Sequence, residues 1–553
     1  MTHGQRQHPV QSPARWVSAA VLAASIALVW HSLGNHGLFP PDEGRYAAAS
    51  GWMAEHGGWL APELRGQIHV TKPPLAYWAQ AASMVAFGKT EFAARFPSAL
   101  ATTGLLLATF VAARAWLGRL AATAAVALLA CMPLVQVVGR LATTDAMLSL
   151  WWWCALCSAW MALRDSVRRP GWTAAFWASC ALVGLTKGPL LLAPPAIVGC
   201  WLLLAGRLRE LRRLHPVAGL ALAAAPLALV AWGYWSANPD RVLPIWKHEF
   251  IDRFTGGKHD SPFLTIPFAF VAGLFPATAM LVLPGFNLSW RHALAALRAG
   301  DLRSLLAVSV VLPLAGFSLL RGSSLTYVLP LAAPLAVLAG ITVARWIDGS
   351  VDDLPAGRRA PDVRITLAAV LTILAVGLPA VAVTVVARGL APSWAPGWDL
   401  AWLSLCFVPA AVASWCCVAC WSRRSLRLPA LAAVCAAWLG SWVVAHRAED
   451  AAMGAMSMRR LVASLPPDRP VAMLGVVDLG IDWLLGRWTS WHWGGKPMTE
   501  WIKANPDGIV LVYEAELERM RERKDPIVGM IAPGEAFDAW PTKRIRVCTV
   551  VPR

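Results

Sequence analysis

The feature that most constrains this chain is a series of apolar segments, each about as long as a membrane-spanning helix. A hydrocarbon core about 30 Å thick requires roughly 20 apolar residues per helix, and fewer where flanking cations snorkel or the bilayer thins. Thirteen segments satisfy this requirement, near residues 17–33, 93–115, 120–138, 144–163, 172–186, 188–206, 217–236, 266–286, 304–321, 325–345, 364–386, 400–421 and 428–446. The sequence therefore predicts a mainly α-helical, polytopic membrane protein.

The composition supports this class. Hydrophobic residues make up 57% of the chain and charged residues 15%, against roughly 45–50% and 25% in soluble domains. The net charge of +17 comes from arginines in short tracts between apolar segments, not from one basic face. We therefore expect no nucleic-acid partner, and we interpret the charge as a signal of membrane orientation.

Basic residues mark one side of the membrane. If the N-terminus is cytoplasmic, the loops on its side contain seven basic tracts, at residues 6–15, 114–119, 164–169, 207–213, 291–303, 345–364 and 423–427. Short loops on the outer side hold few cations, chiefly Arg140, Lys187, Arg321 and Arg388. This asymmetry predicts a cytoplasmic N-terminus. Residues 73–88 are apolar too, but a full span there would invert every later loop, so we predict an interfacial or re-entrant element.

Three outer segments are long. Residues 34–92 and 237–265 are loops within a predicted transmembrane domain, residues 1–446. Residues 447–553 predict a small α/β domain on the same side, with strand-like runs at 471–477, 508–513 and 545–551 and a charged helix at 514–524. Of the eleven cysteines, only Cys548 belongs to this domain, so an internal disulfide is excluded there.

Charged residues cluster just after the first apolar segment, in Asp42-Glu43-Gly44-Arg45-Tyr46 and at Lys72. Charge near hydrocarbon is costly, so such a cluster predicts a functional site. A solvated connecting loop is the alternative for an isolated acidic pair.

Other polar residues lie at the outer ends of later segments. They are Asp145, Lys187, Glu249, His259, Arg321 and Tyr327. Taken singly, Lys187 and Arg321 suit snorkelling anchors, His259 a solvated loop and Asp145 a helix N-cap. Five separate outer segments would then place acids, cations and hydroxyls at one membrane depth by coincidence. We expect instead that they form one site.

Several motifs resemble those of a known family. They are Asp42-Glu43-Gly44-Arg45-Tyr46-Ala47, Lys72-Pro73-Pro74-Leu75-Ala76-Tyr77-Trp78, Arg95-Phe96-Pro97-Ser98-Ala99-Leu100, Thr186-Lys187-Gly188-Pro189, Arg253-Phe254-Thr255-Gly256-Gly257-Lys258-His259 and Leu325-Thr326-Tyr327-Val328-Leu329-Pro330. Over about residues 30–345, the chain resembles the bacterial aminoarabinose (4-amino-4-deoxy-L-arabinose) lipid A transferases. These are relatives of the protein O-mannosyltransferases in the GT-C class of membrane glycosyltransferases.

The resemblance implies a GT-C fold with about thirteen transmembrane helices, interfacial helices in the first outer loop and an outer C-terminal domain. It also implies transfer of a sugar from a polyprenyl phosphate carrier to a lipid A-like or other acceptor. The reaction would take place at the periplasmic face of the bacterial inner membrane, and we expect a monomer. The sugar and the acceptor, which could be a lipid, a protein or a glycan, stay open.

The resemblance also implies roles for individual residues. Cations suit the donor phosphate, and its candidate ligands are Arg45, Lys72, Lys187, Arg321 and the hydroxyl of Tyr327. Asp42 is the candidate base or acceptor-orienting group, with inversion at the anomeric carbon, and Glu43 is its neighbouring candidate. Tyr46 and Tyr77 are candidate substrate ligands, and Asp145 is a candidate partner for a cation.

Two positions depart from the family pattern. Thr71 stands where the family usually has Glu, and His69 where it has an aromatic residue. In the family, that Glu and a histidine matching His259 are associated with a divalent metal. Losing a carboxylate weakens such a site, so two alternatives stay open: no cofactor, or a metal such as zinc bound by His259 with Glu249, Asp260 or His69.

Two other functions compete with this interpretation. A transporter would be expected to show internal repeats and charged or broken helices near the middle of the membrane. This chain instead collects its ionisable residues at one surface, and no repeat is evident. A ligase or polymerase of lipid-linked glycans would also act on the outer face. It would be expected to lack the arrangement from Asp42 to Lys72.

Overall fold

The structure is a computed structural model. It describes residues 13–39, 42–65, 67–247, 264–282, 295, 298–320, 323–348, 412–413, 424–455, 458–475, 478–493, 495–540 and 543–551. Two predicted spans, 364–386 and nearly all of 400–421, lie outside this part of the chain. The number thirteen therefore stays a prediction.

Helices dominate the described residues up to Ala455. They are α1 (Arg15–Trp30), α2 (Asp42–His56), α3 (Leu75–Phe87), α4 (Glu91–Leu117), α5 (Arg119–Cys131), α6 (Pro133–Val137), α7 (Asp145–Leu163), α8 (Pro170–Lys187), α9 (Ala193–Leu204), α10 (Pro216–Ala237), α11 (Pro239–Trp246), α12 (Thr265–Gly273), α13 (Leu302–Ser318), α14 (Ala332–Asp348) and α15 (Arg424–Ala455). Six helical stretches in the described part are long and apolar enough to cross a membrane, and α1, α5 and α13 are shorter apolar helices. The chain is thus a multi-pass membrane protein.

Prolines interrupt two of the predicted spans. The segment predicted at 120–138 is divided into α5 and α6, because Pro133 disfavours helical geometry at Met132. The segment predicted at 266–286 leaves the α-helix at Gly273, three residues before Pro276, and continues with a 3₁₀ turn at Ala279–Val282. A proline has no N–H to donate, so neither segment forms one uninterrupted helix.

The predicted turn at Lys187-Gly188-Pro189 reverses the chain. α8 ends at Lys187, Gly188 has φ +55°, and a 3₁₀ stretch, Gly188–Leu192, leads into α9. Trp177 on α8 donates to the carbonyl of Leu214, beyond α9, at 2.6 Å. The chain therefore returns to the starting end of α8 after the turn, so this prediction is confirmed.

The largest core lies among α4, α5, α7 and α14. The 3₁₀ stretch Leu325–Leu331 and α14 form its centre, and 89% of the residues in their most apolar part are buried. A Cβ on Gly340 of α14 would lie 2.6 Å from the carbonyl oxygen of Ala121 on α5. Only glycine permits this approach, which is typical of packed membrane helices.

The last hundred residues contain a mixed sheet. A separate hairpin of β1 (Glu63–Leu64) and β2 (Gln67–Ile68) lies in the first outer loop. The elements of the C-terminal segment are α16 (Met458–Ser464), β3 (Val471–Leu474), α17 (Leu479–Leu485), β4 (Ser490–His492), α18 (Gly495–Ala504), β5 (Ile509–Tyr513), α19 (Glu514–Glu522), β6 (Ile531–Trp540) and β7 (Lys543–Val550). The strand order is β4-β3-β5-β7-β6, with β3 parallel to β4 and β5 and the other pairs antiparallel. The three predicted strands and the predicted charged helix are confirmed as elements. The domain boundary at residue 447 stays a prediction.

Candidate active site

Asp42 and Arg45 form an ion pair at the exposed start of α2. An oxygen of Asp42 lies 2.5 Å from a guanidinium nitrogen of Arg45, one helical turn further on. The Asp42 side chain is 59% exposed and that of Arg45 is 32% exposed. An incoming molecule can therefore reach the Asp42 carboxylate and can also contact the neighbouring Arg45 cation.

Glu43, the next residue, points into the protein and is 1% exposed. Its carboxylate accepts hydrogen bonds from Arg95 at 2.9 and 2.7 Å, and from the backbone N–H groups of Phe39 at 2.8 Å and Ala142 at 2.6 Å. Burial raises the pKa of Glu43, but Arg95 and these hydrogen bonds outweigh it and lower the pKa below its ordinary value. This geometry suits a positioning role, and a catalytic role for Glu43 stays a prediction.

Arg95 is an important residue to which the sequence analysis assigned no role. It is 1% exposed, and besides Glu43 it donates to the carbonyls of Leu33 at 3.1 Å, His36 at 3.0 Å and Gly37 at 2.8 Å. One guanidinium thus joins α4, α2 and the chain that leads into the first outer loop. Its sequence signal was an arginine inside the apolar segment 93–115, where a charge needs partners.

Two tyrosines lie behind Asp42 and Arg45. The rings of Tyr46 on α2 and Tyr77 on α3 are stacked with centroids 5.3 Å apart, and His69 meets Tyr77 edge-on at 5.8 Å. Burial raises the pKa of Tyr46 well above its ordinary value. The nearby Tyr77, Asp145 and Asp42 raise the pKa further, whereas Arg45 lowers it. Tyr46 therefore keeps its proton and can serve as a hydrogen-bond donor.

A second ion pair joins α7 to the end of α8. Lys187 donates to Asp145 at 2.6 Å, and its ammonium lies 5.4 Å from the ring centroid of Tyr327. Both charged side chains are nearly buried, at 13% and 9% exposure. Asp145 is the first residue of α7, but its side chain binds Lys187 instead of capping the helix. It is therefore the partner of a cation, one of the two roles that the sequence allowed.

The two ion pairs belong to one cluster, because Ala142, three residues before Asp145, donates to Glu43, the neighbour of Asp42. Asp145 and Asp42 also both raise the pKa of Tyr46. The cluster comprises Asp42, Arg45, Tyr46, Tyr77, Asp145, Lys187 and Tyr327. Five separate stretches of sequence contribute to it. The structure thus brings together these seven residues, which the sequence analysis placed in one site.

Lys72 is half-buried in the turn that leads into α3, five residues before Tyr77. The neighbouring Thr71 hydroxyl lies 3.0 Å from the Nε2 atom of His69. A cavity of about 300 Å³ opens beside His69 and the β1–β2 hairpin. Three predicted site residues, Glu249, His259 and Arg321, lie outside the described residues.

The C-terminal segment touches the helix that carries Asp42. Arg65, from the hairpin of the first loop, donates to Asp482 of α17 at 3.1 Å and also to the carbonyl of Thr489. A Cβ on Gly44 would lie 2.6 Å from the backbone nitrogen of Gly480. The sequence contained no local signal of these contacts, since their partners lie more than 400 positions apart.

Comparisons with known proteins support the family resemblance. The family model of dolichyl-phosphate-mannose-protein mannosyltransferases matches residues 71–235. A protein of Enterobacter sp. (strain 638), named undecaprenyl phosphate-alpha-4-amino-4-deoxy-L-arabinose arabinosyl transferase, is 34% identical over 316 residues, covering 54% of each chain. A protein of the same name from Pseudomonas savastanoi pv. phaseolicola is 32% identical over 364 residues, covering 64% of this chain and 65% of that relative. The match thus spans only somewhat over half the length of such curated relatives.

The likeness in fold extends over nearly the whole chain. The crystal structure of ArnT from Cupriavidus metallidurans bound to undecaprenyl phosphate aligns with a TM-score of 0.75 and 20% identity, covering 97% of this chain and 98% of that chain. The same protein in the apo state aligns with a TM-score of 0.74. At this identity the likeness shows that the chain shares the fold of ArnT.

Proposed function

We propose that this protein is an inverting glycosyltransferase. It moves an aminoarabinose-like sugar from a polyprenyl phosphate carrier to a lipid A-like or other acceptor. The observation that carries the proposal is the cluster around Tyr46, where an exposed carboxylate, two cations and tyrosine hydroxyls meet at one end of the helices. The names of the matched relatives, and the undecaprenyl phosphate bound by the ArnT of similar fold, support the choice of donor.

The cations of the cluster would hold the phosphate of the donor. Arg45, Lys72 and Lys187 are the described candidates, the Tyr327 ring lies beside Lys187, and Tyr327 could add its hydroxyl. Arg321 is predicted to join them. When the bond between the anomeric carbon and the phosphate oxygen breaks, both electrons of that bond go to the phosphate. Cations already in place stabilise this growing charge more than they stabilise the bound donor.

Asp42 would guide the acceptor. The acceptor oxygen attacks the anomeric carbon from the face opposite the phosphate, so the new bond has inverted configuration. An acceptor hydroxyl passes its proton to the Asp42 carboxylate, which is exposed enough to meet it. Because Arg45 pairs with Asp42, it can hold the carboxylate at a constant distance from the phosphate. Glu43 acts indirectly, by holding the start of α2.

The proposed site faces the periplasm of a bacterium, and the protein lies in the inner membrane with its N-terminus in the cytoplasm. The arginine-rich tracts on the opposite side support this orientation. A cysteine placed near Asp42 should react with an impermeant thiol reagent in intact spheroplasts. Labelling only after the membrane is broken would contradict the orientation.

A divalent metal stays a prediction. Its candidate ligands His259 and Glu249 lie outside the described residues, and within the described part no three His, Cys, Asp or Glu side chains converge. His69 already contacts Thr71, at the position where the family has a Glu. The mechanism proposed here therefore assigns no step to a metal. Elemental analysis of the purified protein and of a His259→Ala variant measures whether one is bound.

The proposal is tested by mass spectrometry of membrane lipids from cells with and without the protein. We expect the protein to add the mass of a single sugar to an acceptor lipid, and Asp42→Asn to abolish that shift. Asp507→Asn, an exposed aspartate in a turn of the C-terminal segment, is the matched control and should act like the wild type. A shift that survives in Asp42→Asn would refute the role of Asp42, and longer glycan additions would favour a ligase or polymerase. Transport without any covalent product would favour a transporter.

A further inference from the structure

A second cationic concavity lies at the other end of the helices. A cavity of about 670 Å³ opens between the end of α7, the start of α8 and the start of α10. Asp145 of the candidate active site begins α7, whereas Ala162 near its end lines this cavity. Seventeen residues at 1.5 Å each put them roughly 25 Å apart. That distance is close to the thickness of the hydrocarbon core, so the cavity lies at the opposite membrane boundary.

The rim of the cavity is strongly basic. Arg168, Arg169, Arg213 and His215 line it. Residues 164–169 contain three arginines and one aspartate, and residues 207–215 four arginines and one glutamate, which leaves an excess of positive charge. Asp165 pairs with Arg169 at 2.7 Å, and Glu210 lies 3.5 Å from Arg213. Arg168 is exposed and has no ion pair with any described residue, so its charge is available to a ligand.

Two of these cations are held in place, Arg213 by backbone carbonyls and Arg169 by a carboxylate. Arg213 donates to the carbonyls of Ala162 at 3.0 Å and Val167 at 2.8 Å, which fixes it across the end of α7. Arg169 is the residue just before α8 and is held by Asp165. Arg213 and Arg169 are therefore fixed parts of the cationic rim.

The inner wall of the cavity is apolar. Trp177 and Ala181 of α8 and Ala218 and Leu222 of α10 contribute to it. Leu222 is 73% exposed, and its neighbour Val217 on the same helix is 84% exposed. In a membrane-spanning helix these residues face lipid, so the cavity opens towards acyl chains. An inorganic anion would bind only to the cationic rim, whereas a lipid would bind the rim through its headgroup and the apolar wall through an acyl chain.

We propose that this cavity binds an anionic phospholipid of the leaflet opposite the candidate active site. Its headgroup phosphate would lie among Arg168, Arg169 and Arg213, and an acyl chain would lie along Trp177 and Leu222. Basic pockets between transmembrane helices select anionic headgroups by charge, and the apolar wall supplies affinity that a free anion does not gain. The site is independent of the proposed glycosyl transfer.

The test uses the full-length protein, purified in detergent and stripped of lipid. Phosphatidylglycerol, phosphatidylcholine or inorganic phosphate is added, bound lipid is counted by native mass spectrometry, and thermal unfolding is followed. We expect the wild type to retain phosphatidylglycerol and to unfold at a higher temperature with it than with either alternative. Arg168→Glu should retain it on the order of tenfold less. Ala218→Trp, which fills the apolar wall, should also lose retention.

Arg209→Glu is the matched control, because Arg209 is an exposed arginine of the same basic tract that does not line the cavity. It should retain phosphatidylglycerol like the wild type. Equal retention by Arg168→Glu and the wild type would overturn the proposal. So would a thermal shift that inorganic phosphate reproduces in full, since the apolar wall would then contribute nothing.

Discussion

At the scale of single residues, two adjacent carboxylates have opposite environments. Asp42 is 59% exposed and Glu43 is buried under Arg95. Consecutive residues of an α-helix point about 100° apart, so one can face the surface while the next faces the core. The chain can therefore present one acid to a substrate and use its neighbour to hold the helix that carries it.

Glu43→Gln should destabilise the protein far more than Asp42→Asn. Removing one partner of a buried ion pair leaves an uncompensated charge, here on Arg95, and costs about 3–5 kcal/mol of unfolding free energy. The exposed Asp42–Arg45 pair contributes about 0–1 kcal/mol. Chemical unfolding of both variants measures the contrast. Equal loss of stability in the two would contradict the structural role of Glu43.

The contribution of Glu43 should also depend on pH. The folded pKa of Glu43 is lowered from its ordinary value of 4.5. An acid with a lowered folded pKa stabilises the native state above its unfolded pKa and loses that contribution as the pH falls through the folded pKa. The difference in unfolding free energy between the wild type and Glu43→Gln should thus be constant above about pH 5 and shrink in acid. A difference that does not change with pH would contradict it.

Lys187→Met combined with Asp145→Leu separates phosphate binding from structural support. Either single change leaves a nearly buried charge unpaired and should destabilise the protein, whereas the double variant should recover most of the loss. If Lys187 binds the donor phosphate, the double variant should still show a raised KM for the donor. Thermal unfolding beside donor kinetics tests this. A stable double variant with wild-type kinetics would remove Lys187 from the donor site.

At the scale of elements, α2 is the part of the fold on which the site depends. Its polar start carries Asp42 and Arg45, and its buried face packs on α3 through Tyr46 and Tyr77 and on α17 through Gly44. Small residues such as Ala47 and Ala48 keep that face close to its neighbours. The position of the carboxylate is therefore set by backbone packing and not by a flexible loop.

Gly44→Ala should move α2 away from α17. The new Cβ would lie 2.6 Å from the backbone nitrogen of Gly480, which cannot move aside as a side chain could. We expect a loss of about 1–3 kcal/mol, typical of overpacking, together with reduced kcat. Gly199→Ala is the control, because nothing lies within 4 Å of its Cβ. Equal unfolding free energies and equal kcat in the two variants would show that the close approach of Gly44 to Gly480 has no effect.

At the scale of the whole molecule, the C-terminal sheet and the first outer loop are tied together. Arg65 of the loop reaches Asp482, whose side chain is fully buried and also accepts from Thr489 at 2.9 and 2.7 Å. Arg459 binds Glu91 at the start of α4. These contacts connect the C-terminal segment to the first outer loop and to α4. We therefore expect the C-terminal segment to brace α2, the helix that carries Asp42, in its position.

A double-mutant cycle of Arg65→Ala and Asp482→Asn measures this brace. We expect a coupling energy of about 0.5–3 kcal/mol in unfolding, and a fall in kcat in each single variant although neither residue belongs to the candidate site. Arg519→Ala, which breaks an exposed pair with Glu516 on α19, is the control and should leave both quantities unchanged. Additive effects of Arg65 and Asp482 would show that the segments act separately.

Much of the architecture follows from local sequence. Apolar length predicts the helices, the Lys187-Gly188-Pro189 motif predicts a reversal, and alternating apolar runs predict strands, because each signal depends on neighbouring residues. The same holds for the candidate cluster, whose members lie in the predicted first outer loop or at the outer ends of later predicted spans. The break at Met132 also had a local signal in Pro133, but apolar length outweighed it in the span prediction.

What the sequence alone determined, then, is which segments are helical, and it also predicts where they meet the membrane boundary and which side chains carry the chemistry. Only the tertiary structure decided that Glu43 is a buried support while Asp42 is exposed, that Arg95 holds three carbonyls, and that Gly44 touches Gly480. The physical reason is that burial and pairing depend on atoms brought close by folding from distant positions. The pattern of neighbouring residues does not show which distant residue will contact a given side chain.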